Sequence, residues 1–511
     1  MPHLSITAAE TPAKAAFIMA NSGEIVTYGE LDQRSNQGAQ LMRLCGVGKG
    51  AHIALMLSNC REFLEITCAA QRSGIIYTAI STHLLQDETA YILENSGAEL
   101  FIVSAEYAHI AEAMIEKAPN VKHFYMLDGI REGFESWEES IDQMPASPIA
   151  DQAMGADMLY SSGTTGQPKG VFIPPSVEAF DAPNAMEATL GAAFGFGPET
   201  TYLSPAPLYH AAPLRYNMMV LATGGTSVIM EKFDAERALA LIQEHRITHS
   251  QWVPIMFVRM LKLAEQTRRQ YDISSMQVAI HAAAPCPIEV KAAMIEWWGP
   301  VIYEYYAASE AIGFTVIDSN GWLSHRGSVG KALFGVPHVL NEAGEEVTAN
   351  EVGEIWFELT AQGFTYHNEP GKTQDAYNDR GWATTGDMGY LDEEGFLYLT
   401  DRKNFTIISG GVNIYPAEIE SLLIGHDKVA DVAVFGIPNE EFGQEVKAVI
   451  QPSNWVDATD ETAIEIMEWL RERLSHVKMP RSIDFNEKLP RMDNGKLYKR
   501  HLMQAYKKPV E

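Results

Sequence analysis

The chain has 511 residues, of which 46% are hydrophobic, and it carries a net charge of −29. A chain of this length is expected to form more than one domain, and a surface this acidic repels nucleic acid and anionic lipid. No stretch reaches the about 20 apolar residues that a membrane span needs, and the N-terminus lacks a signal-peptide pattern, so we expect a cytoplasmic protein with no membrane span and no nucleic-acid partner.

Helix-like and strand-like segments alternate from about residue 25 to residue 320. A helix is predicted from Thr27–Leu31 to about Leu44, then a strand at His52–Leu57 and a second helix at Cys60–Ser73. This alternation is typical of a parallel α/β sheet. The segments from about 325 to 400 are short and punctuated by Gly and Asp, which predicts a small barrel or an antiparallel sheet.

A charged cluster at residues 400–404 lies between two β-like runs and predicts the main domain boundary. The predicted fold class is α/β. A large N-terminal domain of stacked α/β sheets would cover residues 1–401, with the β-barrel part at about 325–400, and a smaller mobile α+β C-terminal domain would cover residues 405–511. From Leu470 to the end, 11 Lys or Arg residues stand against 5 Asp or Glu residues. This local excess of positive charge would suit a polyanionic ligand.

The four cysteines form no CxxC pair, which favours buried thiols over disulfides or metal ligands. They are Cys45, Cys60, Cys68 and Cys286.

A polar, glycine-rich run at residues 161–170 lies between two apolar, strand-like segments and reads Ser-Ser-Gly-Thr-Thr-Gly-Gln-Pro-Lys-Gly. Its backbone N–H groups, hydroxyls and ammonium group can cradle phosphate oxygens. The candidate phosphate ligands are Ser161, Ser162, Gly163, Thr164, Thr165, Gly166 and Lys169. It is not a Walker A loop, because Pro168 precedes the lysine and Gly170 follows it.

This run resembles the signature loop of the adenylate-forming superfamily, which includes acyl-CoA synthetases, beetle luciferases and the adenylation domains of peptide synthetases. The resemblance extends over nearly the whole chain, because further motifs follow in the family's order. Thr27–Leu31 and Leu57–Phe63 resemble its N-terminal core motifs, to which we assign no chemistry. The family's C-terminal lysine corresponds to Lys496.

The resemblance implies an ATP site with Mg²⁺. Tyr306 would stack on adenine, Ser309 would contact the α-phosphate, Asp387 and Arg402 would contact the ribose, and Glu310 would hold the metal together with Thr165. Ala283 and Ala307 stand where many members have glycine. The implied ATP ligands outside the loop are Ala283, Ala284, Pro285, Tyr306, Ala307, Ser309, Glu310, Asp387, Arg402 and Lys496.

The resemblance also implies which residues act in catalysis and in domain rotation. The implied catalytic residues are Lys496, Lys169, Thr165 and His210. The pantetheine arm of coenzyme A would pass Gly410 and Gly411, and the C-terminal domain would rotate about Asn404, where the family often has Asp or Lys.

The segments implied for the acyl pocket are apolar, small or aromatic, and no acidic residue stands where it could hold an α-amino group. The candidate pocket residues are His210, Trp252, Val253, His281, Ala282, Tyr305, Ala308 and Gly313. We therefore predict an ATP-dependent acyl-CoA synthetase that forms acyl-CoA, AMP and pyrophosphate through an acyl adenylate. A medium- or long-chain fatty acid, a steroid side-chain acid and an aryl acid all stay open as the substrate, and so does a homodimer.

Two alternative functions remain. One is an acyl-AMP ligase that loads a carrier-protein thiol, and the other is a nucleotide-binding protein without turnover. The presence of Lys496, Glu310 and Asp387 argues against the second alternative.

Overall fold

The computed structural model describes residues 3–161, 168–175, 179–181, 185–359, 363–409, 412–439, 441–491 and 497–506. Within these residues, no helix is both long enough and apolar enough to cross a bilayer. Cys68 is buried and the other three cysteines are half-buried, and all four are free thiols.

The helices are distributed along the whole chain. Their bounds are α1 Leu4–Glu10, α2 Tyr28–Leu44, α3 Arg61–Arg72, α4 Gln86–Ser96, α5 Ala108–Ala111, α6 Met114–Lys117, α7 Trp137–Asp142, α8 Ala185–Phe194, α9 Ala211–Ala222, α10 Ala235–Glu244, α11 Pro254–Leu261, α12 Glu265–Gln270, α13 Ile288–Trp298, α14 Ser319–Ser324, α15 Pro370–Asp375, α16 Pro416–Leu423, α17 Asp460–Arg471 and α18 Lys499–Ala505.

The strands alternate with these helices in the first part of the chain and follow one another closely after it. Their bounds are β1 Ala15–Met19, β2 Ile25–Thr27, β3 His52–Met56, β4 Ile76–Ala79, β5 Ala98–Ser104, β6 His123–Leu127, β7 Glu135–Ser136, β8 Ala156–Ser161, β9 Lys169–Phe172, β10 Thr201–Ser204, β11 Thr226–Ile229, β12 His249–Trp252, β13 Val278–His281, β14 Ile302–Ala307, β15 Phe314–Ile317, β16 Ser328–Phe334, β17 Val336–Leu340, β18 Gly353–Glu358, β19 Thr365–Tyr366, β20 Asp387–Leu391, β21 Leu397–Arg402, β22 Ile407–Ser409, β23 Val412–Ile414, β24 Val429–Asn439, β25 Gly443–Pro452 and β26 Ser482–Phe485.

Two large sheets contain the strands up to β21. The larger runs β17-β18-β20-β21-β16-β15-β14-β13-β12-β10-β11-β1-β2, and the second runs β19-β9-β8-β4-β3-β5-β6-β7. The pairs from β1 through β11, β10, β12 and β13 to β14 are parallel, as are those joining β3, β4, β5 and β6. The α/β class predicted from the alternation is therefore confirmed.

The segment predicted as a barrel or antiparallel sheet forms antiparallel pairs from β16 through β21, β20 and β18 to β17. It continues the larger sheet, because β16 also pairs with β15. The helix predicted from Thr27 is α2, and the Thr27 side chain and Glu30 form a capping box at its first turn.

Residues from 407 onward build a separate five-stranded sheet, in which β23, β22, β25 and β24 follow one another and β26 pairs with β25. Helices α16 and α17 contribute Ile419, Leu423, Ile466 and Leu470 to its apolar core. Part of the basic excess near the C-terminus is neutralised within this unit by the ion pairs Lys478–Glu418, Lys499–Glu420 and Arg491–Asp431.

A buried ion pair fixes the centre of the larger sheet to the helix behind it. The Lys291 ammonium on α13 donates to Glu304 Oε2 on β14 at 2.6 Å, and both side chains are buried. Burial raises the pKa of Glu304 and the Lys291 charge opposes that rise. His281 lies 3.6 Å from the same oxygen, and burial holds its pKa well below the usual value, so its ring is neutral.

We predict that Lys291→Met destabilises the protein by about 3–5 kcal/mol, because it leaves the Glu304 carboxylate buried without its cation. Urea unfolding followed by tryptophan fluorescence measures this loss. The double variant Lys291→Met/Glu304→Leu replaces the pair by apolar groups and is expected to recover most of the stability. A single variant as stable as the parent, or a double variant no better than the single one, would contradict the prediction.

Candidate active site

Asp387 is the best-connected carboxylate among the predicted site residues. It is the first residue of β20 and lies opposite Arg402, the last residue of β21. Tyr306 donates its hydroxyl to Asp387 Oδ2 at 2.7 Å, and Arg402 Nε donates to Oδ1 at 3.1 Å. Thr385 also donates to Oδ2 at 2.9 Å. The structure therefore brings three predicted residues, which are separated by up to 96 positions in sequence, into one hydrogen-bonded group.

A second group forms around Glu310, a buried residue in the turn that follows β14. Tyr366 on β19 donates its hydroxyl to Glu310 Oε1 at 2.8 Å. The Lys169 ammonium, at the start of β9, lies 4.5 Å from the centre of the Tyr366 ring. Burial lowers the pKa of Lys169, Lys372 adds to the decrease, and Glu310 opposes it. Lys169 and Glu310, both predicted to contact phosphate or metal, thus share Tyr366 as a neighbour.

The two groups pack against one apolar cluster. That cluster contains Tyr366, Val171, Phe357 and Ala383, and Tyr306 packs against it. Arg402 is close enough to Tyr366 to lower the pKa of its phenol, although burial and Glu310 raise it more. The exit strand of the glycine-rich loop, the turn after β14 and the start of β20 are therefore parts of one site.

Two alanines, one in a predicted site motif and one directly after Glu310, have left-handed backbone. Ala283 has φ 75° and Ala311, directly after Glu310, has φ 50°. An alanine in this region is uncommon and strained, and such residues gather at functional sites. Glycine would adopt the left-handed backbone at position 283 without this strain.

His210 is the N-cap residue of α9, and its backbone N–H donates to Pro207 O at 3.2 Å. Asn59 holds the segment just before it, because the Asn59 amide accepts from Leu208 N at 2.8 Å and donates to Met230 O at 2.8 Å. The motif at Leu57–Phe63 therefore has a structural role in positioning the His210 segment.

Tyr305 and Ala282 belong to an aromatic cluster on the side of β14 opposite Tyr306. Tyr305 stacks on Phe314 with ring centres 4.7 Å apart. The cluster contains Phe194, Tyr202, Tyr216, Met219, Val220, Val278, Ile280, Ala282, Tyr305 and Phe314, and Ala307 packs against it. Tyr202 Oη is buried and makes no hydrogen bond within the described residues.

Three other predicted pocket residues are buried in the described part of the chain. Trp252 and His281 are fully buried, with Trp252 in the core around Phe257 and His281 beside the Lys291–Glu304 pair, and Val253 is buried in the same core as Trp252. At Gly313 a side chain would meet the Phe357 ring at 2.2 Å, so packing against that ring explains the glycine. The sequence showed that these residues are apolar or small, which fits a core as well as a pocket.

Several predicted residues fall outside the described part of the chain, and others are described without a contact that defines a role. The first set comprises Ser162, Gly163, Thr164, Thr165, Gly166, Gly410, Gly411 and Lys496. The second set comprises Ser161, Ala284, Pro285, Ala308, Ser309 and Asn404. Ser161 pairs with Lys169 across β8 and β9, which confirms the strand-loop-strand arrangement predicted around the glycine-rich run.

Sequence reasoning missed Tyr366 and Thr385. Tyr366 lies outside the motifs that the sequence analysis used, and its contact with Glu310, which depends on the fold, identifies it. Thr385 stands two residues before Asp387, and a hydroxyl so close to a candidate ribose ligand was the available signal.

Comparison with known proteins identifies the family of the chain. The family model for AMP-binding enzymes matches residues 4–362, and the model for the C-terminal domain of these enzymes matches residues 418–496. The long-chain-fatty-acid–CoA ligase FadD13 of Mycobacterium tuberculosis is 31% identical over 98% of this chain and 97% of its own length. The feruloyl-CoA synthase of an Amycolatopsis species is 28% identical over 96% of each chain.

Solved structures show the same architecture. A fatty acyl CoA synthetase from Mycobacterium tuberculosis superposes with a TM-score of 0.73 at 28% identity, covering 98% of this chain and 97% of its own. ATP-bound MatB from Rhodopseudomonas palustris superposes with a TM-score of 0.82 at 25% identity over the full length of both chains. The chain therefore belongs to the AMP-binding enzymes of the adenylate-forming superfamily, and within them to the acyl-CoA synthetases.

Proposed function

We propose that this acyl-CoA ligase activates an apolar, ring-bearing or long-chain carboxylic acid at the site formed around Asp387, Glu310 and Lys169. The observation that supports this location most strongly is the pair of carboxylates, Glu310 buried and Asp387 half-buried, each held by a tyrosine hydroxyl. The enzyme uses ATP, Mg²⁺ and coenzyme A, as the family does. The acid is converted to an acyl adenylate with release of pyrophosphate, and the thiol of coenzyme A then displaces AMP.

In the first step two anions must approach each other, so catalysis depends on orientation and on positive charge near the phosphates. Asp387 and Arg402 would orient the ribose, with the carboxylate accepting from both ribose hydroxyls. Tyr306 would lie along the adenine. Lys169 and the hydroxyls of the glycine-rich loop would hold the outer phosphates, and Lys496 would neutralise charge that develops on the α-phosphate.

The residues around Glu310 fit a magnesium ion. A carboxylate oxygen is a ligand that Mg²⁺ prefers, and the described partner of Glu310 is a neutral phenol rather than a cation, so its negative charge is not cancelled. When bound, Mg²⁺ reduces the repulsion between the triphosphate and the incoming carboxylate. Thr165 would supply a hydroxyl to the same ion.

The aromatic cluster around Tyr305 supports an apolar acid. It contains Ala282, which directly follows β13, and Ala307 of β14 packs against it; both alanines belong to the motifs proposed to line the adenine. Stacked and edge-on rings such as Tyr305–Phe314 and Phe194–Tyr303 are suited to contact another ring system. The aromatic lining favours an aryl or ring-bearing acid. A long-chain acid stays open, because the relatives include both a long-chain-fatty-acid–CoA ligase and a feruloyl-CoA synthase.

The experiment that tests the proposal measures pyrophosphate release by the purified protein with a panel of acids, with and without coenzyme A. The panel contains benzoic and cinnamic acids, a steroid side-chain acid, and octanoic and palmitic acids. Release that depends on the acid, followed by acyl-CoA formation when coenzyme A is added, is expected. Acyl transfer to a carrier protein but not to coenzyme A would support the carrier-loading alternative, and no release with any acid would support the non-catalytic one.

We predict that Lys496→Ala lowers acyl-adenylate formation by about 10²–10³-fold, the effect expected for one transition-state charge partner. Conversion of supplied acyl-AMP to the thioester should be almost unchanged. Pyrophosphate is absent from that step, so no lysine is needed to neutralise charge on the phosphates as it leaves. Lys488→Ala, which removes an exposed lysine of the same C-terminal segment, is the matched control. Equal loss of both half-reactions in Lys496→Ala would show that the lysine is structural.

We also propose that the domain boundary at residues 401–405 is the pivot about which the C-terminal domain rotates. Asn404 lies in a short turn of 3-10 helix, Lys403–Phe405, between the large sheet and the five-stranded sheet. Rotation of the C-terminal domain about this turn would move the segment that carries Lys496 away from the acyl adenylate. The same rotation would bring the glycine pair Gly410–Gly411 beside it.

We predict that Asn404→Pro separates the two half-reactions, because proline fixes φ and removes the backbone N–H. Adenylate formation is expected to survive better than thioester formation. Asn404→Ala keeps the backbone free and serves as the control. Stopped-flow measurement of each half-reaction decides the question, and parallel loss of both steps without a change in stability would place the pivot elsewhere.

A further inference from the structure

We infer that Tyr366 is a positioning residue for the metal and phosphate side of the site, holding the Glu310 carboxylate in place and keeping it separate from the Lys169 ammonium. The inference rests on the proposed function, in which Glu310 holds Mg²⁺ and Lys169 contacts phosphate. It assigns a role to a residue that the sequence motifs did not identify.

The backbone of Tyr366 is fixed on two sides. In β19 it lies opposite Val171 of β9, the strand that leaves the glycine-rich loop, and the next residue, His367, donates its N–H to Gly170 O at 2.8 Å. On the other side, Tyr366 N donates to Thr373 Oγ1 at 2.9 Å. The position of the phenol ring is therefore tied to the strand that carries Lys169.

The side chain contacts a cation with its face and an anion with its hydroxyl. The ring face lies 4.5 Å from Lys169 Nζ, and the hydroxyl donates to Glu310 Oε1 at 2.8 Å. Tyr366 is 7% exposed and Glu310 is 9% exposed, so water competes little for the hydrogen bond between them. That hydrogen bond is stronger in such a desolvated place, whereas Lys169 is only half-buried.

This arrangement prevents a direct ion pair between Lys169 and Glu310. Within the described residues the Lys169 ammonium and the Glu310 carboxylate do not form an ion pair. The Tyr366 ring lies against the ammonium, and its hydroxyl is hydrogen-bonded to the carboxylate. A direct pair would use the negative charge that the metal needs and the positive charge that the phosphates need. The phenol keeps both charges available at a fixed spacing, because its face contacts the ammonium and its hydroxyl donates to the carboxylate.

Glu310 needs this restraint because its own backbone supplies little. It lies in a turn in which Ala311 N donates to Ala308 O at 3.0 Å, rather than in a strand or helix. Ala311 has the strained φ of 50° already described. A hydrogen bond from a rigid aromatic residue on a neighbouring sheet is the contact that orients this carboxylate.

The alternative is that Tyr366 only fills the apolar cluster, where it packs edge-on against Phe364 with ring centres 5.0 Å apart. The variant Tyr366→Phe keeps the ring and removes only the hydroxyl. Tyr377 supplies a matched control, because it also packs on Phe364 in the same cluster and its hydroxyl donates to Phe364 O at 2.9 Å. Both variants lose one tyrosine hydroxyl bond, and only one of these bonds reaches Glu310.

The test uses the full-length protein and measures ATP binding by calorimetry in the presence and absence of Mg²⁺, together with the Mg²⁺ dependence of ATP–pyrophosphate exchange. In Tyr366→Phe we expect the gain in ATP affinity caused by Mg²⁺ to fall about tenfold or more, the effect of losing a hydrogen bond to a charged group. ATP binding without metal should stay within about twofold. Half-saturation by Mg²⁺ in the exchange assay should rise by a similar factor, and Tyr377→Phe should change neither quantity.

A double variant tests whether Tyr366 acts through Glu310. Glu310→Gln is expected to abolish most of the Mg²⁺ effect by itself, and Tyr366→Phe/Glu310→Gln should lose no more than Glu310→Gln alone. Additive losses, or a Mg²⁺ dependence in Tyr366→Phe equal to that in Tyr377→Phe, would overturn the inference. A parent protein that binds MgATP but releases no pyrophosphate with any acid would instead count against the proposed function.

Discussion

The alternation of side chains along β14 is the constraint on which the rest of the site depends. Successive residues of a strand point to opposite faces, so Ile302, Glu304 and Tyr306 share one face while Tyr303, Tyr305 and Ala307 share the other. The first face supplies the buried ion pair with Lys291 and the hydroxyl that reaches Asp387. The second face contributes to the aromatic cluster around Phe314. One six-residue strand thus separates the proposed nucleotide side from the proposed acyl side.

The electrostatics of the site follow a common pattern. Two carboxylates, Asp387 and Glu310, each accept a hydrogen bond from a tyrosine hydroxyl, at 2.7 and 2.8 Å. In a chain with a net charge of −29, an anionic substrate pair meets an unfavourable field, so the local cations matter. Arg402 is already paired with Asp387, whereas Lys169 faces an aromatic ring and, in the proposed function, contacts phosphate. Neutral phenols allow carboxylates to be oriented without cancelling their charge.

Polar contacts join the five-stranded unit to the rest of the molecule. The Lys262 ammonium on the loop after α11 donates to Val429 O at 2.6 Å, and the Asp401 carboxylate accepts from Ala417 N at 3.0 Å. Each unit also has its own apolar core, one around Val432 and Ile450 and others in the large sheets. Separate cores bridged by hydrogen bonds are the arrangement that permits two domains to change orientation, which supports the proposed pivot near Asn404.

The sequence by itself determined the α/β class and the strand-loop-strand setting of the glycine-rich run. It also determined α2 with its cap at Thr27, and the order of the motifs that assign the chain to its family. These features are local, because periodicity, capping residues and glycine-rich turns act over a few positions. The sequence also identified Tyr306, Asp387 and Arg402 as candidates, since each stands in a recognisable motif.

Only the tertiary structure decided which residues meet. It brought Tyr366 to Glu310 across 56 positions and placed Lys169 over the same ring. It also placed Trp252 and His281 in closed cores, although their composition fitted a pocket equally well. The physical reason is that apolar and small side chains suit either a cavity wall or a core, and that a hydrogen bond between distant strands depends on sheet order and register, which no short sequence pattern specifies.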